Sequence, residues 1–137
     1  MGCVFCAIVA GEADASVVAT TDRAVAFMDL VPIGEGHTLV VPRAHAVGLR
    51  DLDPADAAEV MQLGRRVATA QFAAGLAEGV NLFLADGAVA GQEVSHAHLH
   101  VLPRRPDDGL RIQLPSTTRP DRAELDAVAA RLTAALL

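Results

Sequence analysis

Along the chain the spacing of apolar residues changes several times, and each change predicts an element. Val17 to Thr20 and Ala24 to Leu30 are short apolar stretches separated by Thr21-Asp22-Arg23, which predicts two strands joined as a hairpin. Val31-Pro32-Ile33-Gly34-Glu35-Gly36 reads as a loop from its proline and glycines, and His37 to Val41 as a short strand closed by Pro42. At Asp53 the period becomes helical. Asp53 suits an N-cap, Pro54 the first helical position, and Asp56 the positive end of the helix dipole. Ala57, Val60, Met61, Gly64, Val67, Ala68, Phe72 and Gly75 recur at steps of three and four, with Glu59, Arg65 and Arg66 elsewhere, so a long helix lays this stripe on a sheet. Val80 to Ala85 returns to a strand, Asp86 to Gln92 is a loop of small residues, and His96 to Leu102 is a strand ending at Pro103. These two strands are expected to pair antiparallel. Pro103 to Pro120 holds four prolines without a period and reads as extended or loop. A final helix carries Leu125, Val128, Ala129, Leu132 and Leu136 on one face. The expected class is α+β: an antiparallel β-sheet with one long helix packed on it and a C-terminal helix.

Composition narrows this to one domain over residues 1 to 137. With 137 residues, 52% of them hydrophobic, the chain can bury one sizeable core but not two. A net charge of −6 argues against a broad basic face for DNA or RNA. A small nucleic-acid-like substrate stays open. No apolar run reaches the ~18 residues of a spanning helix, and the start lacks a basic region followed by an apolar stretch. Met1-Gly2-Cys3 resembles a lipidation start, but Cys6 stands where Ser or Thr belongs. The expectation is a cytoplasmic protein without a membrane anchor. The two cysteines, Cys3 and Cys6, form a CxxC with no other cysteine to pair with, so there is no disulfide framework. They read as incidental thiols, a redox couple, or half of a zinc site. Redox chemistry is the weakest reading, because such a motif ordinarily follows a strand and opens a helix, whereas this one stands almost at the chain start.

The chemistry concentrates in His96-Ala97-His98-Leu99-His100, which holds three of the five histidines. Alternation on a strand puts these three imidazoles on one face, roughly 6.6 Å apart, and Ala97, Leu99 and Val101 on the other. One reading is a three-histidine zinc hydrolase with an open position for water. The other uses one histidine as a nucleophile. Cys3, Cys6 and His45 could close a four-ligand structural zinc site with a single strand histidine, leaving two imidazoles for chemistry.

The run Gly91-Gln92-Glu93-Val94-Ser95-His96-Ala97-His98-Leu99-His100-Val101-Leu102 resembles the motif of the histidine triad (HIT) family. Phe27-Met28-Asp29 and Gly36-His37 through Ala44-His45 resemble its first nucleotide-binding stretch, so the likeness covers a core over residues 3 to 105, with residues 106 to 137 as a C-terminal extension and helix. The CxxC places the chain nearer the bacterial and Hint-like zinc-bearing members than the diadenosine-triphosphate hydrolases. The resemblance implies a HIT-like fold, a homodimer whose sheets run together, and attack of His98 on an α-phosphorus to form a nucleotidyl-histidine intermediate. It implies His100 and His37 beside the phosphate, Asp29 on the ribose hydroxyls, and Val4, Phe5, Ile8, Phe27 and Leu30 around the base. Gln92, Glu93 and Val94 lead into the phosphate site, and Cys3, Cys6, His45 and His96 match structural zinc ligands. The implied substrates are AMP derivatives: phosphoramidates, adenylates or dinucleoside polyphosphates. Two positions depart from the pattern. Ala85 stands where relatives carry Asn or Gln, and Glu93 replaces a small hydroxyl residue. Both leave room for a nucleotide-binding sensor or partner-binding dimer without catalysis.

Overall fold

A computed structural model describes residues 2–113, 115 and 118–136. Residues 114, 116 and 117 of the proline-rich stretch, and Met1 of the Met1-Gly2-Cys3 start, lie outside the described residues. The elements run α1 (Val4–Val9), β1 (Val17–Thr20), β2 (Ala24–Met28), β3 (Thr38–Pro42), α2 (Pro54–Ala73), β4 (Gly79–Phe83), β5 (Leu99–Arg104) and α3 (Arg122–Ala135), with short 3-10 turns at Leu49–Asp51 and Ala88–Ala90. The five strands form one sheet in the order β1-β2-β3-β5-β4, every neighbouring pair antiparallel. This is the expected α+β architecture, and among the described residues no helix is long and apolar enough to cross a membrane.

β2 and β3 are buried almost throughout because both faces of the sheet are covered. Ala24, Ala26, Val40, Leu99 and Val101 face α2, where Val60, Leu63 and Val67 meet them. Val25, Phe27, Leu39 and Val41 point the other way and pack with Phe5 of α1. Asp53 caps α2 by accepting from the Ala55 amide, as its position before Pro54 dictates.

Four expectations are corrected. The triad strand begins at Leu99 and extends through Pro103 to Arg104, so His96 and His98 belong to the segment leading into β5. Pairing decides this start: β5 finds partners in β3 and β4 only from Leu99 onward. Secondly, the CxxC does open a helix, with Cys3 as the N-cap of α1, although no strand precedes it among the described residues. Thirdly, the buried stripe of α2 is Asp56, Val60, Leu63, Gly64, Val67 and Gln71, whereas Met61 and Phe72 are about half exposed and Gly75 lies past the helix end. The sheet meets α2 along a line rotated from the purely apolar one, and it accepts Asp56 and Gln71 because each has a partner there. Finally, β4 stops at Phe83, short of Leu84 and Ala85.

Candidate functional site

The antiparallel register sets a row of side chains across one face of the sheet. Phe27 pairs with Leu39, Leu39 with His100, and His100 with Phe83. This row floors a cavity of about 850 Å³, walled by Val4, Phe5 and Ile8 of α1, by Met28 at the end of β2 and residues 29–33 after it, and by the loop holding Ala90, Gly91, Glu93 and Val94. His37, His98 and His100 line it as well. The volume falls within the usual range for small-molecule sites.

Hydrogen bonds fix the state of each imidazole, since a neutral ring has one donor and one acceptor nitrogen. His98 is 6% exposed, and its Nδ1–H donates to the His96 carbonyl at 2.7 Å. Its Nε2 lone pair is therefore free on the cavity side, while the ring edge packs on Phe5 at a centroid separation of 5.2 Å. The Ile33 amide donates to Nδ1 of His37 at 3.1 Å, which leaves the proton of His37 on Nε2. That Nε2–H donates in turn to Nδ1 of His100 at 2.9 Å, so His100 carries its own proton on Nε2. Asp29, 3.5 Å from Nδ1 of His37, favours a charged ring, but burial outweighs it and lowers the His37 pKa. Burial, with His98 and His37 nearby, pushes His100 down to about 4. A ladder of neutral imidazoles thus ends in an unshared N–H on His100 beside an unshared lone pair on His98.

His96 is turned elsewhere. Its Nε2–H donates to the Pro42 carbonyl at 2.9 Å, and its Nδ1 lies 3.4 Å from Cys3 Sγ, 3.5 Å from Cys6 Sγ and 3.2 Å from His45 Nδ1. Cys6 Sγ is 3.3 Å from His45 Nδ1. A tetrahedral zinc with bonds of ~2.0–2.1 Å to nitrogen and ~2.3 Å to sulfur sets N···N near ~3.3 Å and N···S near ~3.5 Å, so this cluster is compatible with zinc. With both nitrogens engaged, His96 does not converge with His98 and His100 on one point, and the three-histidine metal centre is not formed.

Other expected residues separate into those that reach the cavity and one that does not. Asp29 lines it while its Oδ1 accepts from the Val31 amide, so the turn that ends the hairpin also aims the carboxylate. Phe5 and Phe27 are buried and meet edge to face at 5.4 Å, whereas Val4 and Leu30 stand at the rim, Leu30 94% exposed. Glu93, exposed, and Ala85 line the cavity too. The Gln92 side chain does not: it braces the loop by accepting from the Gly87 amide and donating to the Val94 and Val47 carbonyls. Leu39 and Phe83 were missed by sequence reasoning. Phe83 stacks on His100 at 4.1 Å and 11°, and only the β4–β5 register, which strand patterning alone does not supply, could have found it.

Comparison with known proteins identifies the family and supports the fold. The HIT domain family model matches residues 10–107. An uncharacterised HIT-like protein of Mycobacterium tuberculosis is 44% identical over 112 residues, covering 82% of this chain and 78% of that one. An adenosine 5′-monophosphoramidase of Schizosaccharomyces pombe is 33% identical over 117 residues, covering 85% of each. A zinc-bound histidine triad family protein from Mycobacterium smegmatis superposes with a TM-score of 0.78 at 40% identity, covering 98% of both chains. The chain belongs to the histidine triad family, defined by the HIT domain.

Proposed function

We propose that the chain is a nucleotide phosphohydrolase or nucleotidyl transferase acting at the α-phosphate of AMP-type substrates, with His98 as nucleophile. The observation that carries this reading is His98 itself: nearly buried, its Nδ1–H tied to a backbone carbonyl, and its Nε2 lone pair left to the cavity. In the first step Nε2 forms a bond to phosphorus while the bond to the leaving group breaks, and the leaving group departs with that electron pair. The Nδ1–H···O bond to His96 stabilises the positive charge the ring acquires. His100, from Nε2–H, donates to the phosphoryl oxygens or to the departing atom, with His37 behind it holding that tautomer. Water then attacks phosphorus, the N–P bond breaks, and AMP leaves with His98 neutral again. Asp29 accepts from the ribose hydroxyls, and Val4, Phe5, Ile8, Phe27 and Leu30 surround the base.

The name of the Schizosaccharomyces relative supports phosphoramidates among the candidate substrates, beside adenylates and dinucleoside polyphosphates. Glu93 and Ala85 in the cavity wall tune which leaving group is taken. Cys3, Cys6, His45 and His96 are the residues that would hold a structural zinc. The metal would neutralise thiolate charge and fix His96, whose carbonyl sets the His98 tautomer. In the test, His98→Asn loses turnover of adenosine phosphoramidate while calorimetry still records AMP binding. Full activity in that variant would overturn the reading.

A further inference from the structure

The β3–β5 ladder, with Val40 opposite Leu99 and Thr38 opposite Val101, stops just short of His37. At that end two backbone carbonyls, of Val101 in the last pair and of Gly36 beyond it, share one donor: the side-chain amide of Gln71 on α2, whose Nε2 donates to them at 3.0 and 2.9 Å. Gly36 immediately precedes His37, and Val101 immediately follows His100. We propose that Gln71 is a positioning residue, pinning from the far face of the sheet the two backbone flanks that set the distance between His37 and His100. The proposal rests on the functional reading above, in which His100 needs a defined tautomer.

Three observations carry it. Gln71 is 4% exposed on a helix face otherwise packed through Val60, Leu63, Gly64 and Val67, and its Oε1 has no partner among the described residues. A buried amide with an unsatisfied acceptor is unfavourable where an aliphatic chain would fill the same space, so its presence points to what its N–H groups hold. Gly36 is pressed into place: it has φ 89°, and a Cβ there would lie 3.1 Å from Pro103 and 3.2 Å from Leu76. The backbone delivering His37 therefore has little room, and the Gln71 amide fastens it where it touches the sheet. Lastly, the stacked Phe83 ring and the tilted His98 ring 4.9 Å away do not specify which nitrogen of His100 carries the proton, and the Asp29 carboxylate, close by, makes no hydrogen bond to it among the described residues. Among the described residues the 2.9 Å bond from His37 is the hydrogen bond that does, and it depends on the separation of the two strands.

Gln71→Met keeps length and volume and removes both donors. The expected result is a fall in kcat/KM for adenosine phosphoramidate of roughly tenfold to a hundredfold, the scale of a small misplacement remote from the chemistry, with AMP affinity kept. The imidazole 15N–1H spectrum should lose the single-tautomer pattern of His37 Nε2–H bound to His100 Nδ1. A merely structural residue would lower the melting temperature and leave both readouts unmoved, and that result overturns the proposal. If Gln71→Met does not fold, Gln71→Asn, one methylene shorter with its amide retained, is put through the same two measurements: loss of both readouts supports the positioning role, and their persistence overturns it. Should the wild-type protein turn over no nucleotide while the variant still alters the two tautomers, the positioning role stands and the functional reading alone fails.

Discussion

At the scale of single residues, the site is governed by which nitrogen holds each proton. Alternation along the sequence put His98 and His100 on a common face, and the structure keeps them adjacent at 4.9 Å between ring centroids. Sequence could not say that His37 is 1% exposed and stands behind His100, because that depends on the turn at Gly36. The half-buried His100 and buried His37 give a pH dependence with a definite sign. His100 titrates near 6.5 in an unfolded chain and near 4 here, chiefly through desolvation, so between those values the unfolded chain binds more protons. Stability is fully present above about pH 6.5 and is lost as pH falls toward 4, and His37 adds in the same direction. Melting temperatures taken from pH 7 down to 4.5 should decline, and less steeply in His100→Asn. Parallel declines in both proteins would remove His100 from the explanation.

Among elements, α1 and α2 do different work on opposite faces of the sheet. The six-residue α1 is too short to be stable by itself, and it is held by Phe5 and by the Cys3–Cys6–His45–His96 cluster. About one equivalent of zinc per chain is expected from metal analysis. Cys6→Ser should reduce both that content and the melting temperature; a wild-type protein, carefully purified and folded, that holds no zinc would count against the ligand set. α2 approaches the sheet closely at Gly64, where a Cβ would sit 2.7 Å from Leu99 Cδ2. Gly64→Ala gains up to ~1 kcal/mol in helix propensity but overpacks a full core at ~1–3 kcal/mol, so a net loss of about 1 kcal/mol should appear in urea unfolding. A more stable variant would mean that Leu99 yields freely. The period of α2 was legible in sequence while the rotation of its buried face was not, because Asp56 and Gln71 become acceptable inside only once Arg23 and the two carbonyls stand opposite them.

For the whole molecule, exposed apolar residues outside the cavity rim include those of β4 and α3. β4 is an edge strand with Leu82 and Phe83 about 40% exposed, and Leu125, Val128 and Leu132 of α3, with Leu136 just past its end, are exposed in a helix with no buried residue. An edge with free backbone groups and apolar side chains readily accepts another strand. Light scattering is expected to give twice the 14.2 kDa chain mass, with Leu82→Arg shifting the protein toward monomer; a monomeric wild type would dispose of the homodimer. The sequence by itself determined the α+β class, most element positions, the chemistry-bearing histidines and the family, because period, proline and glycine placement and a short motif are local properties of the chain. The resemblance already grouped His96 with the two cysteines; tertiary structure alone decided how that ring meets the sulfurs, that β5 starts at Leu99, that Phe83 covers His100, and that an amide on α2 reaches the histidine pair. Each of these depends on strand register or on contacts between residues from 17 to 93 positions apart, and nothing in a one-dimensional pattern fixes such distances.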